Sequence, residues 1–196
     1  MPLHVLPAPA PALRSVLTAL GSPAAVREDR TPALRSFQGS VSPESPLPVH
    51  VLDPIVPTST DRPRTRLTGW RFLIRGGDRS VAAAETILTA DGWTFSHFFE
   101  GPYLTSTERA LRQAEATAIA YQPRLLSIPE LYMLALWLHT GADADAGHGS
   151  LQPNDLLVPL APAPPGIAAH RPHRVAELLP LMTLRVAPAP LLGSPA

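Results

Sequence analysis

The chain has 196 residues, no cysteine and a formal net charge of zero. The absence of cysteine excludes a disulfide framework, a thiolate zinc site and a cysteine nucleophile. The first residues lack the features of a signal peptide, and no run approaches the roughly 18 apolar residues of a membrane span. We therefore expect a cytoplasmic protein without membrane contact. Arginine without lysine, beside abundant alanine and proline, suggests a GC-rich bacterial genome.

Aromatic residues and prolines divide the chain into three parts. Ten of the eleven aromatic residues lie between Trp70 and Trp137, but only three of the 25 prolines lie between Arg64 and Thr140. Aromatic side chains bury large apolar areas, whereas proline interrupts helices and central strands. We predict a folded core at 66–160, a largely disordered proline-rich arm at 1–65, and a proline-rich linker with an apolar segment at 161–196.

One short amphipathic helix is predicted inside the first arm. Leu13, Val16, Leu17 and Leu20 have the spacing of one helix face, and Pro11 suits a first helical turn. At about ten residues such a helix is marginal alone, so it needs a surface to pack on. Docking on the chain's own core is favoured over recognition of a partner.

The core begins with a predicted three-stranded meander at 70–75, 79–90 and 93–98. A Gly-Gly-Asp turn joins the first two strands, and an Asp-Gly pair of the type I′ hairpin kind joins the last two. The predicted register sets Phe72 opposite Ala82, Leu88 opposite Phe95, and His97 on the same apolar face. A helix over 78–88 is the alternative, because its alanine-rich stretch has high helix propensity.

A helix at Ser106–Tyr121 is predicted next, with an apolar stripe that would cover the meander. Residues 127–139 fit either a helix or a buried strand, and the strand is favoured because 155–160 needs a partner. The last apolar segment, 175–186, is interpreted as a helix broken by Pro180. Together these elements predict an α+β fold: a small antiparallel sheet of about five strands with one packed helix, flanked by proline-rich arms.

Potential metal ligands are few and poorly spaced. His170 and His173 form an H-x-x-H pair with proline between them, and Asp143, Asp145 and His148 share one polar loop. Zinc sites need three or four ligands at suitable spacing, which neither group supplies. We therefore predict no metal and no cofactor.

The weak catalytic candidates are His97 and Glu100, three residues apart at the end of a predicted strand. A histidine and a carboxylate there could act as base and orienting group. Arg71 and Arg75 are weak candidates for binding an anionic ligand, so a small-molecule ligand is possible. The commoner interpretation of His97 is a histidine at the edge of the core.

A basic segment is the remaining candidate, with six arginines and two aspartates between residues 61 and 79. Arg62, Arg64 and Arg66 could contact phosphates together with Arg71 and Arg75. A neutral chain lacks the usual electrostatic footprint of nucleic-acid binders, so this function is disfavoured. The leading expectation is a non-enzymatic domain that binds a protein partner, and the alternative is a small enzyme or ligand-binding domain.

Overall fold

The computed structural model describes residues 3–26, 31–54, 64–141 and 144–186. Within these ranges the chain forms one eight-stranded mixed sheet in the order β4-β3-β2-β1-β5-β6-β7-β8. The strands are β1 (Val41–Leu52), β2 (Thr65–Gly76), β3 (Arg79–Thr89), β4 (Gly92–Phe99), β5 (Gln122–Ile128), β6 (Met133–His139), β7 (Leu156–Pro159) and β8 (His173–Arg174). The helices are α1 (Ala10–Leu20), α2 (Pro23–Val26), α3 (Pro32–Ser36), α4 (Pro102–Glu115) and α5 (Val175–Val186), and a 3-10 turn spans Pro129–Leu131.

The sheet consists of two antiparallel meanders joined side by side. Strands β1 to β4 form one meander and β5 to β8 form the other. Their first strands, β1 and β5, pair in parallel, with Val49 opposite Leu125 and Val51 opposite Ser127. Parallel neighbours need a crossover connection, and the segment that contains α4 provides it.

Helices cover both faces of the sheet. On the face that carries Trp70, which we call the front face, α1 packs over the first meander and α5 over the second. On the opposite, back face, α4 packs across β1, β5 and β6 through Ala110 and Ala114. Both faces are therefore largely removed from water, and β5 and β6 are buried along almost their whole length.

The predicted small antiparallel sheet of about five strands with one helix is wrong. The sheet has eight strands and is mixed, and β1 lies at its centre although its residues belong to the predicted proline-rich arm. The prolines of β1 conceal it in the sequence. A register shift between Glu44 and Leu47, where Ser45 has a φ of 47°, accommodates Pro46 without breaking the strand. Whether residues 66–160 would fold without their neighbours stays a prediction.

Several local predictions are confirmed, whereas the position of the main helix is wrong. Residues 79–89 and 133–139 are strands, and α1 docks on the chain's own core. It docks through Ala12, Val16 and Ala19, so the predicted helix face is only partly right, and Leu17 is 49% exposed. The expected helix at Ser106–Tyr121 instead runs from Pro102 to Glu115, because proline suits the first helical position after Gly101. It packs on the back face, so α1 and not α4 covers Trp70 and Phe72.

The predicted strand registers are also wrong, and one error moves a candidate residue. Leu88 pairs with Trp93, so the turn lies one residue before the Asp-Gly pair, and Phe72 pairs with Ala84. A bulge between Glu85 and Thr86 then breaks the alternation of β3 with β4. As a result His97 pairs with Glu85 and leaves the apolar front face.

Gly69 is predicted to be required for the pairing of β2 with β3. A Cβ atom added there would lie 2.1 Å from the carbonyl oxygen of Thr86, so the two strands would have to separate. We expect Gly69→Ala to lower the free energy of unfolding by roughly 2 kcal/mol. In Gly21→Ala, the control, the nearest atom lies 3.5 Å away, and we expect no loss in urea unfolding. Equal stability of the two variants would contradict the prediction.

Candidate functional site

His97 and Glu100, the catalytic candidates, have different hydrogen-bond partners. The carboxylate of Glu100 accepts the backbone N–H of Leu34 at 3.0 Å and so holds the short helix α3. His97 Nδ1 lies 3.0 Å from the hydroxyl of Ser96, and its ring contacts that of Phe99. No hydrogen bond joins the two candidates in the described ranges, and their catalytic role stays a prediction.

Arg71 and Arg75, the binding candidates, are both engaged by carboxylates. Arg71 is almost buried on the back face, where it pairs with Glu85 and lies over the ring of Phe99. Arg75 donates to Glu108 at 3.1 Å and to the carbonyl of Asp78 at 2.8 Å. Their charges are therefore largely compensated within the fold.

The basic segment does not form one continuous surface in the described residues. Arg62 lies outside them. Arg64 is exposed beside His148, whereas Arg66 lies 3.9 Å from the carboxylate of Asp53. With Arg71 and Arg75 paired as well, nucleic-acid binding through this segment stays a prediction with little geometric support.

That the chain binds no metal stays a prediction. Asp143 lies outside the described residues. Among the described side chains, no group of three or more histidine or acidic residues is placed to hold a metal. His170 and His173 separate, since His173 joins β8 while His170 contacts Ser106 on α4.

A buried polar cluster lies on the front face, between the areas covered by α1 and α5. It joins side chains of four neighbouring strands to the loop that follows β6, and most of its members are fully buried. We call it the polar cluster; its members are His50 on β1, Thr65 on β2, Gln122 and Arg124 on β5, Trp137 and His139 on β6, and Asp155. Buried polar groups must be paired, so each contact in it has an energetic consequence.

Asp155 is the most connected member of the polar cluster. Its Oδ2 accepts hydrogen bonds from Trp137 Nε1 at 2.8 Å, His139 Nδ1 at 2.9 Å and the backbone N–H of Gln152 at 2.9 Å. Its Oδ1 accepts two from Thr140, through the backbone N–H and the hydroxyl. Burial alone would raise the pKa of Asp155, but these hydrogen bonds lower it to about 2. The carboxylate therefore stays ionised and fixes both ends of the loop.

His50 occupies the middle of the polar cluster in one tautomer. Its Nε2 lies 2.9 Å from the carbonyl oxygen of Ala146, which can only accept, so Nε2 carries the proton. Nδ1 then accepts from the hydroxyl of Thr65 at 2.8 Å. Burial, followed by the charge of Arg124, lowers the pKa of His50 to about 4. The ring is therefore neutral at physiological pH.

Arg124 holds the outer part of the loop, and its partners among the described residues are an amide oxygen and backbone carbonyls. It donates to the side-chain oxygen of Gln122, to the carbonyl of Asp145 at 2.9 Å and to the carbonyl of His148. Its guanidinium also lies 4.9 Å from the ring centre of Trp137. Burial lowers the pKa of Arg124 to about 10, and the charges of Asp155 and Asp145 oppose that shift. Arg124 therefore remains a cation, and its hydrogen bonds hold the backbone carbonyls of the loop against the core.

The polar cluster contains one arrangement that is typical of a catalytic site. The low pKa of His50 argues against a catalytic role for it. Thr65 lines an open cleft of about 370 Å³ with Arg64, His148, Gly149 and Ser150. A hydroxyl bound to a histidine is the arrangement of a nucleophile and its base. A histidine with a pKa of about 4 is a poor base at neutral pH, however, and His50 is fully buried. The geometry supports anchoring of the loop better than catalysis.

Sequence reasoning missed the polar cluster because its members lie far apart along the chain. The sequence places His50 in the predicted arm, His139 at the end of one predicted strand and Asp155 at the start of another. The one available indication was the position of Gln122 and Arg124 beside an apolar run, because alternating polar residues on a buried strand require partners.

Comparisons with known proteins supply no family for this chain. No protein-family model matches it, and no curated protein or solved structure matches significantly. Among the described helices, none is long and apolar enough to cross a membrane. Functional inference therefore rests on the chain's own geometry.

Asp155→Asn is expected to destabilise the fold. An amide presents N–H groups where Trp137, His139 or Thr140 also donate, so buried donors lose their acceptor. We expect a loss of roughly 3 kcal/mol in the free energy of unfolding in urea at pH 7. Asp145→Asn is the matched control, since among the described residues that exposed carboxylate accepts a hydrogen bond from Gly147 alone, which asparagine can also accept. Similar losses in both variants would contradict the anchoring role of Asp155.

Because of His50, the free energy of unfolding is expected to decrease as the pH is lowered from about 6.5 to about 4. The unfolded chain takes up a proton at His50 near pH 6.5, whereas the folded chain resists it until about pH 4. Folding stability is therefore lost as pH falls through this window, by up to about 3 kcal/mol at its lower end. Asp155 contributes a separate loss at lower pH, between its unfolded pKa of 3.8 and its folded pKa of about 2.

The measurement is urea unfolding of the wild type and His50→Gln at intervals from pH 7.5 to 4. The variant should show a shallower decline than the wild type across this range. Parallel curves would show that His50 is protonated as easily in the folded chain as in the unfolded one.

Proposed function

We propose that this chain is a non-enzymatic protein-interaction domain that binds an extended segment of a partner protein along the outer edge of β4. The observation that carries the proposal is the contrast between the two edges of the sheet. An exposed edge presents unpaired N–H and C=O groups, and natural proteins usually block it with charges, prolines or very short strands.

The edge at β8 is blocked in the usual ways. That strand has only two residues, His173 and Arg174, with Pro172 before it and α5 directly after it. A partner strand would find almost no continuous backbone there.

The edge at β4 carries none of these blocking features in its own sequence, although α1 and α2 pack against its front face. Its eight residues, Gly92–Phe99, contain neither proline nor a charged Asp, Glu, Lys or Arg. Among the described residues its backbone pairs with β3 alone. The bulge near His97 interrupts the regular pairing of this edge strand. Addition of a peptide strand to such an edge is a common mode of protein recognition.

Apolar side chains next to this edge would extend the contact. Leu88 is 54% exposed on the front face and Ile87 is 43% exposed on the back face, both near the end of β3. Trp93 and Phe95 on β4 are only partly buried. A bound strand could therefore gain apolar contacts on both faces. We also propose a cytoplasmic location, which the absence of cysteine supports.

The test is selection of binding peptides from a random nonapeptide library, followed by affinity measurement on two lysine variants. Thr94→Lys places a charge on the exposed edge strand, and we expect it to weaken selected peptides about tenfold or more. Thr18→Lys, on the exposed side of α1, is the matched control and should bind as the wild type does.

Two outcomes would contradict the proposal. One is the recovery of no peptide, or of peptides that bind Thr94→Lys as tightly as the wild type. The other is a homodimer in light scattering that Thr94→Lys converts to a monomer, since the edge would then be occupied by a second copy.

A further inference from the structure

A second surface, formed by α4 on the back face of the sheet, has the composition of an anion-binding site. It is an open cleft of about 380 Å³ between α4 and the segment that connects β7 to β8. Thr105, Arg109 and Arg112 lie at helical spacing along α4, and Ala161 and His170 lie on the other side. We call it the α4 cleft.

Positive charge in the α4 cleft is not compensated by its own lining. No carboxylate lines it, and both Arg109 and Arg112 are exposed. Neither arginine makes an ion pair or a side-chain hydrogen bond with a described residue, in contrast to Arg71 and Arg75. Two guanidinium groups one helical turn apart, without internal acceptors, suit a ligand that brings oxygen atoms of its own.

The carboxylates of α4 point to other partners. Glu108 accepts from Arg75, from the hydroxyl of Ser80 at 2.6 Å and from the backbone N–H of Ser80. Glu115 lines a neighbouring cleft together with Glu44, Asp78 and Glu108, and Arg112 lines both clefts. The local electrostatic balance of the α4 cleft is therefore positive.

Hydrogen bonds fix the wall opposite the arginines. The hydroxyl of Ser106 accepts the backbone N–H of Ala161 at 2.8 Å and lies 3.3 Å from Nε2 of His170. The backbone N–H of His170 bonds to the carbonyl of Pro159 at 2.8 Å, which helps hold its φ of 62°. Burial, followed by the charge of Arg109, lowers the pKa of His170. The wall is thus preformed and neutral, and the positive charge comes from the arginines.

We propose that the α4 cleft binds a phosphate monoester, with Arg109 and Arg112 on the phosphate oxygens and the Thr105 hydroxyl as a further donor. Guanidinium groups pair with phosphate through two parallel hydrogen bonds, and a dianionic monoester gains more from two arginines than a monoanion does. The volume is sufficient for a small phosphorylated molecule or for a phosphorylated side chain of a peptide.

The test is titration of the full chain with methyl phosphate, followed through amide chemical shifts. We expect saturable shifts confined to residues 102–112 and 161–170. Arg109→Gln and Arg112→Gln should each weaken binding about tenfold, the loss typical of one charge-assisted contact. Arg14→Gln, an exposed arginine of α1 without an ion pair among the described residues, is the matched control and should leave the affinity unchanged.

Further ligands separate the possible sources. Dimethyl phosphate, which mimics a nucleic-acid backbone, should bind at least about tenfold more weakly than the monoester. A phosphoserine peptide that binds more tightly than free phosphoserine would identify the source as a phosphoprotein, and equal affinity would identify a small metabolite.

Three results would overturn the proposal. They are equal binding of dimethyl phosphate, equal weakening in Arg14→Gln, and saturable shifts that map outside the α4 cleft. Circular dichroism and urea unfolding of the exposed-arginine variants verify that each is folded.

Discussion

Parallel pairing between β1 and β5 is the constraint on which the rest of the structure depends. It covers only Val49–Val51 and Leu125–Ser127, yet it joins two antiparallel meanders into one sheet. Without it, the first meander would expose the edge of β1 and the second the edge of β5, although most residues near the join are buried. His50 lies in this short stretch, so the same pairing places the centre of the polar cluster.

The polar cluster explains how a polar loop can cover an apolar sheet. Trp137 lies between two buried charges: it donates to the carboxylate of Asp155 and presents its ring to the guanidinium of Arg124. Asp155 accepts hydrogen bonds from N–H and O–H groups of the loop, and Arg124 donates hydrogen bonds to carbonyl oxygens of the loop. Each charge is thus solvated by the loop itself, which replaces the water lost on burial. The polar cluster therefore stabilises the region where the two meanders meet. The low pKa of His50 makes this cluster poorly suited to general base catalysis.

The sequence predicted local structure better than assembly. Strands β2, β3 and β4 follow from alternation and turn residues, β6 follows from the need of 155–160 for a partner, and α1 follows from the spacing of Val16 and its neighbours. Strand β1 was missed because its prolines resemble a disordered arm, although a bulge at Ser45 accommodates them. The predicted face of His97 is wrong because a bulge reverses which side chains face the core, and no residue type in the sequence indicates that bulge. Neither the polar cluster nor the α4 cleft could be predicted, since each depends on long-range pairing.

Amide hydrogen exchange of β1 tests the central claim most directly. If β1 is bonded to β2 on one side and to β5 on the other, the amides of Val49, His50 and Val51 should exchange as slowly as those of β5 and β6. Exchange of these three amides at the rate of the exposed turn at Gly77 would contradict the account. The two meanders would then not be joined through β1, and the polar cluster would lose its centre.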